Sequence, residues 1–445
     1  MRTFPIGGIH PHDNKEWSKD KAIEVLELPD EVKLPMVQHI GAPATPVVQK
    51  GDKVLTGQIV GQSAGFVSAN IHSPISGTVV NVDMFPNGQG QRRMMVVIKR
   101  EGDEWLETID RTPDHKRECT LEPKEIIAKI KDAGIVGLGG AQFPTHVKLT
   151  IPDGQKAEVL VINGVECEPY LTSDYRTMLE RAEMVLTGVE IVMRAIGVER
   201  AVIGVENNKP DAIKHLREVI ARDGYKGIEV MPLKMRYPQG GEKQLIAAVT
   251  GRQVAPPPAL PISEGAVVCN VSSAIAIYEA VQKNKPLVER VVTITGKSLQ
   301  STHNYLARFG TSVSSLLELA GGLPEGDVKI LNGGPMMGRA IVDISAPLIK
   351  GCSGITIISG EEAARGKEMA CVKCAKCVAA CPMGLEPFLL NKYARNNMMD
   401  ELEENAVQDC IECGCCLYSC PANIPLLDII RLAKGDVIKI IRTRK

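Results

Sequence analysis

Thirteen cysteines stand in this 445-residue chain, and eight of them fall into two copies of one pattern. The first copy is Cys371, Cys374, Cys377 and Cys381-Pro382; the second is Cys410, Cys413, Cys416 and Cys420-Pro421. Each reads C-x-x-C-x-x-C-x-x-x-C-P, the bacterial spacing for holding 4Fe–4S clusters in pairs. Three thiolates at this spacing converge on one cuboidal cluster, and in two-cluster proteins the fourth ligates the other cluster. The expected ligand sets are therefore Cys371, Cys374, Cys377 with Cys420, and Cys410, Cys413, Cys416 with Cys381. Interleaving of this kind makes the clusters near neighbours, which suits a relay of single electrons. Zinc is the competing reading, but structural zinc sites usually take their cysteines from separate C-x-x-C knuckles. Disulfides belong to small secreted folds in oxidising compartments. The other cysteines, Cys119, Cys167, Cys269, Cys352 and Cys415, are scattered, as expected in a reducing compartment. Cys415 breaks the spacing of the second run and reads as a small buried residue.

A second stretch with chemical content runs Gly137-Leu138-Gly139-Gly140-Ala141-Gln142-Phe143-Pro144-Thr145-His146-Val147-Lys148. A glycine-rich turn lets backbone N–H groups approach an anion, and a lysine adds fixed charge. The stretch lacks the G-K-S/T ending of a nucleotide P-loop, and its glycines are out of register with G-x-G-x-x-G. On its own it is as compatible with a plain turn as with a ligand site. Downstream, Val159-Leu160-Val161-Ile162 reads as a buried strand that ends at Asn163-Gly164-Val165-Glu166-Cys167-Glu168-Pro169. Polar groups at the carboxyl ends of strands are where open α/β sheets bind ligands.

The elements that must position these groups are legible in outline. Between Val32 and Arg100, short β-strands alternate with glycine turns. Val47–Val54 and Ser73–Val79 resemble the two halves of a biotinyl/lipoyl-like barrel-sandwich fold. Gly65–Asn70, at the hairpin between those halves, holds no lysine, so the resemblance implies a structural or docking module without a covalent cofactor. Glu101–Lys116 is charged and linker-like. Helices are expected at Pro123–Ala133, Ser173–Ile196 and Asp211–Ala221, with Ala201–Val205 a strand between the last two, the alternation of an α/β domain. Another strand is expected at Val291–Gly296 and a helix near Val313–Ala320. Pro425–Ile441 reads as an amphipathic helix interrupted by Gly435, ending in a basic tail of Arg442, Arg444 and Lys445. Near the start, His10 and His12 read as turn or surface residues. A net charge of −1 gives no reason to expect nucleic acid. The start has no apolar signal-peptide core, and no run of ~20 apolar residues is present to span a bilayer.

The glycine-rich loop and the strand end together resemble the flavin- and NADH-binding subunit of respiratory complex I, which joins G-x-G-G-A-G-F-P-T-x-x-K to N-A-x-E-x-E-P-G. This chain departs at Gln142 and Tyr170, where that family has glycine, and at Leu138, where it often has arginine. Tyr237–Lys243 resembles the family's Y-x-x-G-E-E-T turn with Glu242 retained, and Val267–Ser272 its I-N-N-V-E-T segment with Asn270 retained. The resemblance implies that Gly137, Gly139, Gly140 and Lys148 hold the flavin phosphate and ribityl chain. It implies that Asn163, Glu166 and Asn270 hydrogen-bond the flavin, and that Phe143, Glu168 and Glu242 face the dinucleotide. Arg290–Met337 resembles the β-grasp domain that follows the flavin domain in the same family.

Over nearly its whole length the chain resembles the RnfC family of the Rnf complex, including an opening Phe4–Pro11 close to F-x-G-G-I-H-P. The expected architecture is multidomain α/β. Residues 1–105 form a barrel-sandwich hybrid module, and 116–285 a Rossmann-like α/β domain for FMN and NADH. Residues 286–360 form a β-grasp domain, and 361–445 an α-helical two-cluster ferredoxin domain. The resemblance implies a peripheral subunit on the cytoplasmic face of the membrane, docked on integral membrane and flavin-carrying subunits and reaching ferredoxin indirectly. The complex exchanges electrons between ferredoxin and NAD(H) and translocates sodium ions or protons, so this is an oxidoreductase of the translocase class. Non-covalent FMN would join the two-electron chemistry of NAD(H) to the one-electron chemistry of two 4Fe–4S clusters, with no catalytic acid or base needed from the protein. Three rivals remain: a microcompartment cobalamin reductase, the NADH-linked subunit of a soluble bifurcating enzyme, and a flavin-free electron-carrying scaffold. The first begins near the flavin loop, so the residues before Gly137 favour the Rnf reading.

Overall fold

The computed structural model describes residues 1–256 and 259–444. Between Glu31 and Gly102 the chain folds into two small sheets. One holds strands Glu31–Pro35, Arg92–Gly102, Ser76–Pro86 and Lys53–Val54 in that spatial order; the other holds Thr45–Pro46, Ile59–Gln62 and Ile71–His72. Val32, Leu34, Val79, Val96 and Ile98 face inward and are fully buried, as the two-residue period of a strand requires. This is the expected barrel sandwich, except that two of its strands are long rather than short. Ser76–Pro86 and Arg92–Gly102 form an antiparallel hairpin of eleven residues a side, kinked by shifts of register after Ser76 and Val79.

The α/β domain is built on a four-stranded sheet in the order Ile228–Leu233, Ala201–Glu206, Val159–Asn163, Ala266–Asn270, all parallel. Both faces are covered, so the strands read as continuous apolar runs. Leu160 and Ile162 pack on one face with the helices Pro123–Asp132, Ala182–Ile196, Pro210–Asp223 and Val271–Gln282. Val159 and Val161 pack on the other with Leu245, Ile246 and Val249 of the helix Glu242–Thr250. The segment expected as one helix from Ser173 to Ile196 is two, Ser173–Glu180 and Ala182–Ile196, because Arg181 leaves helical geometry at φ −134°, ψ 31°. Its apolar face of Met178, Ala182, Val185, Val189 and Val192 is nonetheless continuous and buried.

A six-stranded mixed sheet follows, in the order Ile23–Val25, His303–Arg308, Glu289–Thr295, Gly354–Ser359, Val328–Asn332, Arg339–Ala340. Its edge strand comes from the N-terminus: Ile23–Val25 lies parallel to Asn304–Leu306. The C-terminal domain is helical around Leu390, Leu402, Val407, Ile424, Ile430 and Val437. Its last helix, Leu426–Thr443, continues through Gly435 without the expected interruption. A mid-helix glycine costs about 1 kcal/mol relative to alanine, less than the buried face of Leu426, Ile430 and Val437 contributes. In the basic tail, Arg444 pairs with Glu403 and Asp400; Lys445 lies outside the described residues.

The first 25 residues behave as a strap. Arg2 bridges to Leu233, Ile9 pairs with Tyr237, and Gly8 N donates to Ala380 O at 2.9 Å. Lys15 then donates to the carbonyls of Glu168 and Leu171. The strap thus touches the α/β domain and the cysteine domain before it enters the β-grasp sheet. Gly7 and Gly8 have φ of 64° and 82°, and a Cβ on Gly7 would overlap the Cys381 carbonyl, so glycine alone suits that crossing.

Candidate functional site

The parallel sheet reverses its strand order beside Val159–Asn163. The chain moves outward from that strand to Ala201–Glu206 and Ile228–Leu233, then returns to place Ala266–Asn270 on its other side. The crevice at such a reversal, outside the carboxyl ends of the strands, is the usual ligand site of an open α/β sheet. Asn163 and Asn270 are the last residues of two neighbouring strands, the inner Val159–Asn163 and the edge strand Ala266–Asn270, and lie in register. Asn270 Nδ2 donates to Asn163 O at 3.3 Å and to Asp174 Oδ2 at 2.6 Å, while its Oδ1 caps the next helix by accepting from Ser272 and Ser273 N. Asn163 donates to Gly240 O at 2.8 Å and accepts from Val165 N.

The glycine-rich loop lies over this crevice. Its neck is closed by Gly137 N on Phe143 O at 2.9 Å, and Leu138 N donates to Ser273 Oγ at 2.9 Å. Gly139 and Gly140 are exposed. A Cβ on Gly139 would stand 3.2 Å from Asn270 Cβ, whereas one on Gly140, at φ 127°, would meet nothing within 4 Å. A groove floored by backbone and open above suits the phosphate and chain of a flavin, and Phe143 sits half-buried at its end. Two residues that stand where the resembled family has glycine, Gln142 and Tyr170, keep left-handed backbone at φ 55° and 71°. Both side chains reach other parts of the chain: Gln142 lies against Gly351 of the β-grasp domain, and Tyr170 packs its ring near Lys297 of that domain while its OH donates to Glu362 Oε1 at 2.7 Å, in the turn just after it.

The three carboxylates of the expected site are all engaged by protein. Glu242 pairs with Lys148 at 2.8 Å. Burial works to lower the Lys148 pKa, but Glu242 more than offsets it and the pKa is raised. Glu166 accepts from Asp174 N at 2.7 Å and Tyr175 N at 3.2 Å, holding the N-terminus of the helix Ser173–Glu180. Desolvation pushes its pKa up to about 7. Glu168 is likewise pushed up to about 7 by burial, against the pull of its donors Met336 N, Met337 N and Tyr237 OH. Lys148 and Glu242, Asn163 and Asn270, and the glycines surround one crevice. Glu168 instead lies on the seam toward the β-grasp and cysteine domains.

That seam is where the site meets the cysteines. Tyr237 OH lies 3.3 Å from Glu168 Oε1 and donates to Cys413 O at 2.8 Å. Gln244 Nε2 donates to Pro382 O at 3.3 Å. Cys381, Cys410, Cys413 and Cys416 line one cavity with Leu390, Leu427 and Ile430. Burial raises the Cys410 thiol to about 11 and raises Cys381 and Cys416 as well, whereas a hydrogen bond with Cys415 lowers Cys413; a bound cation such as iron would hold all four as thiolates. Among the described residues, no three cysteine sulfurs lie within 4.8 Å of one another. A tetrahedral zinc usually takes its cysteines from two separate C-x-x-C knuckles, whereas a tandem triplet joined by the Cys-Pro cysteine of the other run is the ligand pattern of a 4Fe–4S cluster. Cys377 is buried and half-buried Cys420 lies near enough to raise its pKa, while Cys371 and Cys374 are exposed. Cys415 is fully buried with its thiol toward Tyr237 O, as the sequence leads one to expect. His12 draws near Asp13 and Glu16, but His12 and Glu16 are exposed, in keeping with a surface turn.

Tyr237, Arg290 and the N-terminal strap are absent from the sequence-based site. Tyr237 carries a signal in the turn that resembles Y-x-x-G-E-E-T and the strap one in Phe4–Pro11, but their contacts, like those of Arg290, join segments far apart in the chain.

Comparisons with known proteins follow this division. Residues 3–103 match the RnfC Barrel sandwich hybrid domain, 130–279 the Nuo51 FMN-binding domain, 291–340 the SLBB domain and 365–421 the 4Fe-4S dicluster domain. The C subunit of the proton-translocating ferredoxin:NAD(+) oxidoreductase complex of Clostridium ljungdahlii is 45% identical over 399 residues, 89% of this chain and 86% of that one. The Na(+)-translocating counterpart of Acetobacterium woodii is 45% identical over 435 residues, covering 97% and 96%. The C subunit of the ion-translocating oxidoreductase complex of Rhodobacter capsulatus is 40% identical over 98% of this chain and 83% of its own. No helix among the described residues is long and apolar enough to cross a membrane. The chain belongs to the RnfC family, whose members are the C subunits of ion-translocating ferredoxin:NAD(+) oxidoreductase complexes.

Proposed function

We propose that this subunit exchanges hydride between NAD(H) and FMN in the crevice above Asn163 and Asn270, and single electrons through two 4Fe–4S clusters. The carrying observation is that one hydroxyl, Tyr237 OH, touches both the strand-end carboxylate Glu168 and the cysteine-run carbonyl of Cys413. FMN, when bound, supplies the change between two-electron and one-electron transfer. The chain's own residues bind and orient. Gly137, Gly139 and Gly140 cradle the phosphate end, with Lys148 anchored beside them by Glu242 and Val268 O. Asn163 and Asn270 floor the crevice, and Phe143 stands at its mouth toward the dinucleotide. Glu168 fixes the turn Met336–Met337 and, through Tyr237, the second cysteine run.

Cys410, Cys413, Cys416 and Cys381 hold the inner cluster; Cys371, Cys374, Cys377 and Cys420 hold the outer one, which faces solvent and the next carrier. Integral membrane and flavin-carrying subunits of the complex bind this face on the cytoplasmic side, with ferredoxin reached through them. Two relatives of equal identity are named for different ions, protons and Na(+), which supports placing ion choice in other subunits. Anaerobic titration with NADH tests the whole reading. Flavin absorbance should bleach and cluster absorbance should fall with it. Clusters reduced by NADH in flavin-stripped protein would sink the proposal.

A further inference from the structure

On the flavin reading of the crevice, a dianionic phosphate rests on a loop with little free positive charge of its own. Lys148 is already held by Glu242 at 2.8 Å, and Leu138 is buried and apolar. Two cations from the β-grasp domain lie beneath the same loop. Arg290, 4% exposed, is the second residue of the inner strand Glu289–Thr295. Its Nη2 donates to Leu138 O at 3.2 Å and its Nη1 to Lys350 O at 2.6 Å. Lys350, 1% exposed, donates from Nζ to Asn70 O at 2.7 Å and to Gly134 O at 2.8 Å, at the base of the loop.

Both side chains have backbone carbonyls for partners, and among the described residues neither makes an ion pair. The carboxylates within electrostatic reach of Arg290 are Asp174 and Glu166. Asp174 is bound by Asn270 and Ser272, and Glu166 by the helix N-terminus. Burial lowers the pKa of both cations, that of Lys350 to about 7. A buried cation without a counter-ion is costly, and arginine stays charged where lysine loses its proton. An anion that settles on the loop would meet this charge across the Leu138 carbonyl.

We propose that Arg290 is a specificity-determining residue for the flavin phosphate, selecting FMN over riboflavin by a permanent positive charge beneath Leu138. Lys350 strengthens the same field while it carries its proton. A guanidinium that only props the Leu138 carbonyl would favour both flavins alike.

The test compares FMN and riboflavin binding to the full chain, purified anaerobically with its clusters and stripped of flavin, by quenching of flavin fluorescence. Arg290→Gln should lower the FMN-to-riboflavin affinity ratio by about tenfold or more, with riboflavin affinity itself little changed. Arg290→Lys should hold the ratio within about threefold of wild type at about pH 6, where a buried lysine keeps its proton, and lose it at about pH 9, where the lysine is neutral. An equal loss for both flavins, or an unchanged ratio in Arg290→Gln, would overturn the proposal. If Arg290→Gln does not fold, the folded Arg290→Lys chain decides: a ratio that does not fall relative to wild type between about pH 6 and about pH 9 overturns the proposal, and a fall supports it. Wild-type protein that binds both flavins equally overturns the role of Arg290 alone; wild type that binds neither overturns the flavin reading as well.

Discussion

The two cysteine runs share one spacing and differ in nearly everything around it. In the second run, Cys413 is 7% exposed and its carbonyl receives Tyr237 OH, while Gly414 packs on the Met336 carbonyl. Cys381, which the spacing assigns to the same cluster, has its backbone pressed against Gly7 of the strap. In the first run, Cys371 and Cys374 are exposed, and Val372 between them is 67% exposed. Among the described residues, no side chain of the α/β domain hydrogen-bonds to residues 371–377. Ligand spacing is a local property and states what is bound. The surroundings are tertiary and state which cluster faces the crevice and which faces the outside.

The largest effect expected from that contrast is an asymmetry between two alanine variants. Cys413→Ala and Cys374→Ala should each lower iron content from about eight to about four per chain. In Cys374→Ala, NADH should still reduce the remaining cluster. In Cys413→Ala, the remaining cluster should be cut off, with its NADH-driven reduction slowed by roughly two orders of magnitude or more, although flavin still bleaches. Freeze-quench electron paramagnetic resonance separates the cases. Equal reduction in both variants would break the comparison.

A smaller effect isolates the strap. Gly7→Ala places a Cβ into the Cys381 carbonyl at a left-handed backbone position, while Gly51→Ala meets nothing within 4 Å at φ 97°. Both should carry the conformational cost of about 1–2 kcal/mol, and Gly7→Ala should add a steric cost of similar size. Thermal unfolding followed at the cluster absorbance should show the larger shift for Gly7→Ala, with iron lost first from the inner set. Identical shifts would mean that the strap does not brace the second run.

What could be read in advance follows the same line between local and tertiary. The cysteine sets, the apolar run Val159–Ile162 and the turn into Glu242–Thr250 announce themselves through spacing, period and punctuation within a few residues. The pairing of Ile23–Val25 with Asn304–Leu306 does not, because nothing local marks a three-residue edge strand whose partner is hundreds of residues away. Gln142 and Tyr170 look like lost glycines in the sequence, yet both keep the left-handed backbone. Their side chains find partners in the β-grasp domain, and such compensation cannot be seen one segment at a time. The sequence places Glu166 at a strand end but does not show its hydrogen bonds to the helix after Thr172. Gly435 misled because propensity is a weak term beside a buried helix face.

The smallest effect is a slope. Glu168 sits on the inner side of the contrast only, and burial raises its pKa from the ordinary 4.5 to about 7. A raised carboxyl pKa means that the folded chain keeps a proton which the unfolded chain releases between those two values. Stability from this group is therefore full below pH 4.5 and falls as the pH rises to about 7. Glu168→Gln cannot titrate, so the wild type should lose roughly 1–2 kcal/mol relative to it across that window, after allowance for partial exposure. Above and below the window the difference should be flat. Thermal midpoints of the two proteins at half-unit pH steps measure it, and loss of the inner cluster should follow the slope while loss of the outer cluster does not. A slope that persists in Glu168→Gln but vanishes in Glu166→Gln would move the titration from the cluster seam to the helix beneath the crevice, and the inner side would lose its claim to a separate pH response.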